Sequence, residues 1–291
     1  MSNAFRRNEQ KGLAMSTDNE RSQRGIQSIE VGGQLLRALV HNGRPMALKD
    51  LAREAEMSPA KAHPYMVSFG RLGLIEQDRV SGHYLLGPLA LQLGLISLQQ
   101  ANPVHVATPL IAELAQQIGQ TVAIAVWGDR GATIVRIAES PAPLHVNMRH
   151  GTVFSLTNTA SGRLFGAYLD PAVVKQLLED ERRRERKGAA TAHAPRRGMP
   201  PARPLPSWQD FESQLREVRS HGVSRSEGEI LPGVSAMSAP VFDHTGAISL
   251  ALTAIGPSAI FDTDWDGEIA LALKACADQV SQRLGASASR P

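Results

Sequence analysis

The chain has 291 residues, which is long enough for two domains, and its 42% hydrophobic content is normal for a globular protein. We expect no transmembrane helix, because the sequence holds no uncharged apolar run of about 18 residues, and no signal peptide, because the N-terminus has no apolar core. The net charge of +3 comes entirely from residues 1–100, where 12 Lys and Arg stand against 9 Asp and Glu, as contacts with phosphate would require.

Residues 1–24 are polar, charged and without period, so we expect a disordered arm. A first helix is expected from Ile26 to Val40, where turn residues follow. The stretch 46–73 then predicts two helices joined by a tight turn. In the first of the two, apolar residues recur at i, i+3, i+4 and i+7, namely Leu48, Leu51, Ala52 and Ala55.

The second helix of this pair is expected to begin at Ser58, whose hydroxyl can accept from free N–H groups in the first turn. Pro59 follows at the first helical position, where its missing N–H costs nothing. A buried stripe is expected at Tyr65, Met66, Phe69 and Leu72. The side chains left facing outward are Lys61, Ala62 and His63. Such a pair predicts a helix-turn-helix that inserts its second helix into the major groove, although a helical hairpin inside an enzyme shows the same pattern.

Two short apolar runs follow, 74–78 and 82–86, and they predict a β-hairpin around the turn Arg79-Val80-Ser81. With the helices, the hairpin makes a winged helix over residues 25–87, whose wing tip can reach a phosphate or the minor groove. The candidate DNA-binding residues are therefore Ser58, Pro59, Lys61, Ala62, His63, Arg79 and Ser81. A winged helix that binds protein instead of DNA is an alternative, and the outward basic side chains argue against it.

Residues 88–102 predict a linker helix that is apolar on more than one side, so we expect it to pack against a second copy of the chain. Residues 103–285 predict an α+β domain, because strands interleave with helices on one antiparallel sheet. Within this domain, residues 188–206 are dominated by Pro, Ala, Gly and Arg and predict a disordered loop insertion.

The second domain shows few sequence features that are typical of an enzyme. Its histidines are not at metal-ligand spacing, and motifs for phosphate binding or a nucleophile elbow are missing. Ser161-Gly162-Arg163 at a helix start could bind an anion through free N–H groups, or it could be an ordinary cap. Glu227 and Glu229 could form an acid–base pair, but no nucleophile accompanies them.

The single cysteine, Cys276, excludes an internal disulfide and fits core packing in a reducing cytoplasm, where we expect the protein to act. We expect no catalytic residue, no cofactor and no metal. An enzyme, or a sensor-enzyme with an appended winged helix, remains the alternative class.

With both halves considered, the chain resembles the IclR family of bacterial transcription regulators over roughly residues 25–285. In the first half the resemblance lies in Gln27-Ser28-Ile29-Glu30, Leu51-Ala52, Met57 through His63, Gly73-Leu74-Ile75 and Tyr84 through Gly87. In the second half it lies in Arg149, Gly151, Ala160 through Leu164, Gly222-Val223, Glu229, Pro232 through Val234, Ala239 through Phe242, Gly246 and Gly256-Pro257. Each piece is short, and their order and spacing together carry the resemblance.

The resemblance implies a winged helix-turn-helix joined by a linker helix to a GAF-like, profilin-like effector-binding domain with an antiparallel sheet. It implies a homodimer or homotetramer on a palindromic double-stranded operator, controlled by a small-molecule effector, often an organic acid or an aromatic compound; we expect a repressor. Carried over residue by residue, the effector pocket falls on Val146, Met148, Ala160, Ser161, Ser226, Ala236, Thr253 and Ile255. The Ser161 N–H and hydroxyl would then hold an anion, and Thr253 would make one hydrogen bond.

Two departures from the family pattern alter these expectations. Ser226, Ala236 and Ile255 stand where an acidic residue, a cysteine and a hydroxyl are common, so we expect a larger or more apolar effector than a two- or three-carbon keto acid. Pro64 lies inside the recognition helix, where many relatives carry Arg, and it removes the hydrogen bond to the Ala60 carbonyl. We therefore expect a kink or tightening there and a larger share of DNA reading for Lys61 and His63.

Overall fold

The computed structural model describes residues 25–129, 131–140, 149–191 and 204–286, so the expected disordered arm, residues 1–24, lies outside the described residues. The chain divides into two compact units, Met1–Ser97 and Leu98–Pro291. Their boundary falls inside the expected linker helix. Among the described residues, no helix is both long and apolar enough to cross a membrane.

The N-terminal unit is built from three helices and a hairpin, followed by the helix that leads out of it. The elements are α1 (Gln27–Asn42), α2 (Leu48–Glu54), α3 (Pro59–Leu72), β1 (Ile75–Gln77), β2 (Tyr84–Leu86) and α4 (Pro88–Gln100). Its core consists of Leu35, Ala38, Leu39, Met46, Leu51, Ala52, Ala62, Met66 and Ile75. Gly32 allows α1 to approach α3 closely, since a Cβ at Gly32 would lie 2.8 Å from Tyr65 Cδ1.

Helix α3 begins as its sequence predicts. Ser58 is the N-cap, and its hydroxyl accepts a hydrogen bond from the Lys61 N–H at 3.3 Å. The helix is continuous through Pro64 and ends at Gly73, whose left-handed φ of 76° favours glycine. Pro64 therefore does not end the helix.

The expected orientation of two residues of α3 is wrong. Ala62 is fully buried, whereas Leu72 is 61% exposed. The reason is helical spacing: Ala62 lies four residues before the buried Met66 and so shares its face, whereas Leu72 belongs to the last turn. Ala62 is a core residue of this unit and does not face outward.

Helix α4 presents apolar side chains to solvent along its length. None of its residues is buried in the chain. Its large exposed side chains are Leu91, Leu93, Leu95, Ile96 and Leu98. Apolar side chains on more than one side of a helix are typical of a contact surface.

The C-terminal unit holds five helices and six strands among its described residues. The elements are α5 (Pro103–Ile118), β3 (Thr121–Gly128), β4 (Gly131–Ala138), β5 (Val153–Phe154), α6 (Ala160–Tyr168), α7 (Pro171–Thr191), α8 (Trp208–His221), β6 (Ser224–Glu227), β7 (Val234–Phe242), β8 (Ile248–Pro257) and α9 (Glu268–Arg283). The expected insertion at 188–206 begins later, because α7 continues to Thr191. Residues 192–203 lie outside the described residues.

The six strands form one antiparallel sheet in the order β5-β4-β3-β8-β7-β6. Side chains alternate across it, so that Ile124 and Leu252 face α5 and α9, whereas Ala125 and Ala251 face α6, α7 and α8. The result is a three-layer α+β unit with the sheet in the middle. The layer with α6 and α8 also holds the cavity described below.

Candidate functional sites

The first candidate site is the exposed start of α3 together with the wing. Ser58, Pro59, Lys61 and His63 are all exposed there, on the first turns of the helix. The free N–H groups and the positive end of the helix dipole are at this end, where they favour an anion such as a phosphate. Four of the five residues expected on this helix are therefore on the surface, and Ala62 is not.

The wing tip is held in shape by Asp78. Its carboxylate accepts from the Val80 N–H at 3.1 Å, from the Ser81 N–H at 3.2 Å and from the Ser81 hydroxyl at 2.5 Å. The Ser81 hydroxyl bond first, and then these backbone bonds, hold the pKa of Asp78 below its ordinary value. Ser81 thus shapes the turn, whereas the exposed Arg79 side chain is the cation at the tip.

The second candidate site is a cavity of about 350 Å³ in the C-terminal unit, between α6 and the β6–β7–β8 side of the sheet. Six of the eight residues expected in an effector pocket line it: Ala160, Ser161, Ser226, Ala236, Thr253 and Ile255. The other two, Val146 and Met148, lie outside the described residues. The volume is within the range of small-molecule pockets.

A chain of three hydroxyls lies at the buried side of this cavity. The Thr253 hydroxyl is 2.9 Å from the Ser161 hydroxyl and 2.9 Å from the Ser238 hydroxyl. Three hydroxyls supply three protons, and the two bonds between them use two. One O–H therefore remains, and Ser161, which lines the cavity, can point it toward a ligand.

The first turn of α6 is capped by the protein itself. The Thr159 hydroxyl accepts from the Gly162 N–H at 2.8 Å, so this helix start has an ordinary cap. Gly162 is required for close packing, since a Cβ there would lie 2.0 Å from the Ser155 carbonyl oxygen. Helix α6 is thereby fixed against the loop before it.

Several cavity residues escaped the sequence reasoning: Arg149, Thr152, Phe154, Thr159, Ile230, Leu231 and Val234. Arg149 is one of the residues that carry the family resemblance, which implies no contact of Arg149 with the effector. Ile230 and Leu231 precede Pro232-Gly233, which predicts a turn, so the local sequence does not indicate that they line a cavity. Only the paired strands bring these distant segments together.

Glu227 and Glu229 do not form a carboxylate pair for acid–base chemistry. Glu229 is bound to Arg163, with 2.7 Å between its Oε2 and the guanidinium Nη1. Glu227 lies on the edge strand β6, 3.9 Å from the guanidinium of Arg225. Within the described ranges, no group of three or more His, Cys, Asp or Glu side chains could hold a metal ion.

Two known family models match the chain, and each match contains one of the two candidate sites. Residues 28–79 match the IclR helix-turn-helix domain, and residues 96–282 match the domain described as bacterial transcriptional regulator IclR C-terminal. The first match contains α3, and the second contains the whole cavity. The two matches leave a gap that holds the second half of the wing and the start of α4.

Named relatives span both units. The chain is 28% identical over 267 residues to the glycerol operon regulatory protein of Streptomyces coelicolor, covering 90% of this chain and 98% of that protein. It is 25% identical over 235 residues to the transcriptional repressor IclR of Escherichia coli, covering 80% of each. The crystal structure of Pseudomonas aeruginosa HmgR is similar with a TM-score of 0.78 and 31% identity, over 91% of this chain and 100% of that one.

These curated relatives are named as regulators of transcription, not as enzymes. Two adjacent family matches, one for each unit, account for most of the chain. The chain belongs to the IclR family of transcriptional regulators and is a DNA-binding regulator.

Proposed function

We propose that this regulator is a repressor whose affinity for an operator is controlled by a small organic acid that is apolar apart from its carboxylate. The observation that carries the proposal is the combination of an exposed, basic start of α3 with a ligand-sized cavity in the other unit. Because its target is chromosomal DNA, the proposed place of action is the cytoplasm. The Escherichia coli relative is named a repressor, which supports this direction of control.

For DNA, the proposal assigns distinct tasks to the exposed residues. Lys61 is suited to a phosphate or to guanine, and His63, two residues on, shares the same exposed end of α3. Ser58 and Pro59 set the start of the helix, and Arg79 reaches the backbone or the minor groove from the wing. Ser81 acts through Asp78, since its hydroxyl is already donated to that carboxylate.

For the effector, the cavity lining argues for a mostly apolar ligand with one polar end. Phe154, Ala236, Ile255 and the loop residues Ile230 and Leu231 form apolar wall. The polar contacts on offer are the Ser161 and Thr253 hydroxyls and the Arg149 guanidinium, which has no hydrogen-bond acceptor among the described residues. A carboxylate fits a guanidinium and a hydroxyl donor, and an aliphatic chain or ring fits the remainder.

For assembly, we propose a homodimer or homotetramer in which the exposed face of α4 packs against a second copy. The five large apolar side chains on α4 supply the contact area that such a helix pair needs. Two copies also bring two reading helices to the two halves of a palindromic operator.

Titration of labelled DNA tests the proposal directly. The DNA upstream of the gene should bind the protein, and Lys61→Ala should weaken binding by about tenfold, with a smaller slope of log affinity against log salt. The matched control is Lys175→Ala, which removes an exposed lysine from α7 in the other unit and should leave affinity and slope unchanged. Unchanged binding by Lys61→Ala at physiological salt would remove this residue from the interface.

A further inference from the structure

The loop of residues 228–233 connects β6 to β7 and forms part of the cavity wall. It contributes Ile230 and Leu231 to the lining, and these side chains are 49% and 50% exposed. Its ends are fixed by backbone bonds, from the Gly228 N–H to the Val234 carbonyl at 2.9 Å and from the Ser258 N–H to the Gly233 carbonyl at 2.8 Å. The part between these ends carries the two apolar side chains.

One side chain of this loop can form hydrogen bonds. The loop reads Gly-Glu-Ile-Leu-Pro-Gly, so Glu229 is its single polar side chain. Its Oε2 accepts from Arg163 Nη1 at 2.7 Å and from the Ser226 hydroxyl at 3.0 Å. Glu229 therefore ties the loop to α6 and to the edge strand.

Arg163 is a rigid anchor for this contact. Its side chain is 9% exposed, and it also donates to the carbonyl oxygens of Thr157, at 2.7 Å, and Arg225. It lies two residues after Ser161, on the helix that presents the Ser161 hydroxyl to the cavity. A buried, multiply bonded guanidinium holds its partner carboxylate in one place.

We propose that the Arg163–Glu229 ion pair positions the 228–233 loop, so that Ile230 and Leu231 cover the apolar part of the bound effector. Neither Arg163 nor Glu229 lines the cavity, so the pair sets affinity through the loop and not by touching the ligand. Half-exposed leucine and isoleucine side chains are the surface that such a ligand would bury. This inference rests on the proposed effector site.

The proposal makes affinity depend on ligand length. Each methylene that the loop covers should improve binding by about fourfold, from the ordinary free energy of burying a methylene. The affinity of a ligand that is too short to reach the loop should not depend on the position of the loop. A variant that only destabilises the fold would weaken short and long ligands alike.

The first experiment needs no ligand. Amide hydrogen exchange at Gly228 and Val234, whose N–H groups donate to the Val234 and Leu231 carbonyls, is measured in the full chain, in Glu229→Gln and in Glu227→Gln. Exchange should be about tenfold faster or more in Glu229→Gln, because a charged hydrogen bond is lost, and unchanged in Glu227→Gln, which makes the same substitution two residues away. Equal exchange in all three proteins overturns the proposal.

The second experiment uses straight-chain monocarboxylates from acetate to octanoate, with pyruvate alongside, in calorimetric titrations. Affinity of the unaltered protein should rise with chain length, and Glu229→Gln should lose about tenfold for octanoate and little for acetate. Leu231→Ala, a half-exposed position that should not affect folding, should flatten the length dependence in the same way. A length dependence unchanged by either substitution overturns the proposal.

Combining the two substitutions separates a shared effect from two independent ones. If the ion pair acts through the loop, the double variant should lose less for octanoate than the two single losses multiplied together. Full multiplicativity overturns the proposal. Selective binding of pyruvate would contradict the proposed effector class instead, and the exchange experiment would still decide what Glu229 does.

Discussion

At the scale of single residues, Cys276 gives a test of the core. Its side chain is buried, and burial, followed by the charge of Glu113, raises its pKa to about 11. At pH 8 a thiol with that pKa is ionised to about one part in a thousand, so the folded protein should react with a disulfide reagent about a hundredfold more slowly than the unfolded chain. Absorbance at the reagent's product band, with and without urea, measures both rates.

The same shift has a consequence for stability. Because the folded pKa is raised, the contribution of this thiol is complete below the ordinary thiol pKa of about 9 and is lost as pH rises toward about 11. Cys276→Ala should therefore show a smaller loss of stability over that range than the unaltered chain. In the labelling experiment, a fast reaction of the folded protein with the disulfide reagent at pH 8 would mean that the Cys276 side chain is not buried.

Residue types and spacing predicted the roles of some single residues correctly and failed for others. The Ser58 cap followed from its hydroxyl and the proline after it, and the burial of Cys276 followed from its apolar neighbours. Ala62 was misplaced because a small residue near an expected DNA contact gives no sign of which face it occupies. The bond between Glu229 and Arg163 joins residues 66 apart in the chain, and no local pattern could reveal it.

At the scale of elements, Pro64 offers a test of α3. Proline at an interior position removes the bond to the Ala60 carbonyl and crowds it, yet α3 is continuous from Pro59 to Leu72. Pro64→Ala should therefore raise the free energy of unfolding of the N-terminal unit by about 1–3 kcal/mol. Urea unfolding followed by circular dichroism measures the change.

Gly70→Ala serves as the reference for this helix. Gly70 is exposed in the same helix with open space around it, so alanine there should add about 1 kcal/mol from helix propensity alone. A Pro64→Ala gain at or below that of Gly70→Ala would show that α3 relieves the proline by local bending. The same variant should be titrated with DNA, because a straighter first turn would shift Lys61 and His63.

Most elements followed from periodicity, and the misjudged ones have physical causes. Helix α8 spans Trp208–His221, where apolar residues recur at helical spacing and Gly222 ends the helix. Helix α7 extends four residues into the expected insertion, because Ala189 and Ala190 favour a helix although the composition of the whole segment indicates a loop. Strand β5 is only two residues long because it pairs only with Ala132 and Thr133, at the start of β4.

At the scale of the whole molecule, the family and the order of its units followed from sequence, whereas the cavity did not. Its wall takes residues from α6, β5, β6, β7, β8 and the loop between β6 and β7. The antiparallel order β3-β8-β7-β6 brings the end of the chain against its middle, and a sequence read in one direction shows no such pairing. The resemblance supplied six cavity positions only because relatives share that topology.

The apolar surface of α4 gives the last prediction. In a single chain, Leu95 is 52% exposed and its neighbour along the helix, Leu91, is 64% exposed. A glutamate at position 95 would place a charge within the proposed helix–helix contact, where burial of an unpaired carboxylate is costly. Leu95→Glu should convert the proposed oligomer to monomers in sedimentation velocity at micromolar concentration. Its affinity for a two-half-site operator should fall by about a hundredfold or more, because each monomer then binds one half-site alone.

Gln92→Glu adds the same charge at a polar position of the same helix and should leave both the oligomeric state and the operator affinity nearly unchanged. If Leu95→Glu sediments like the unaltered protein, the copies of this chain meet through some other surface, and α4 connects the two units without joining two chains.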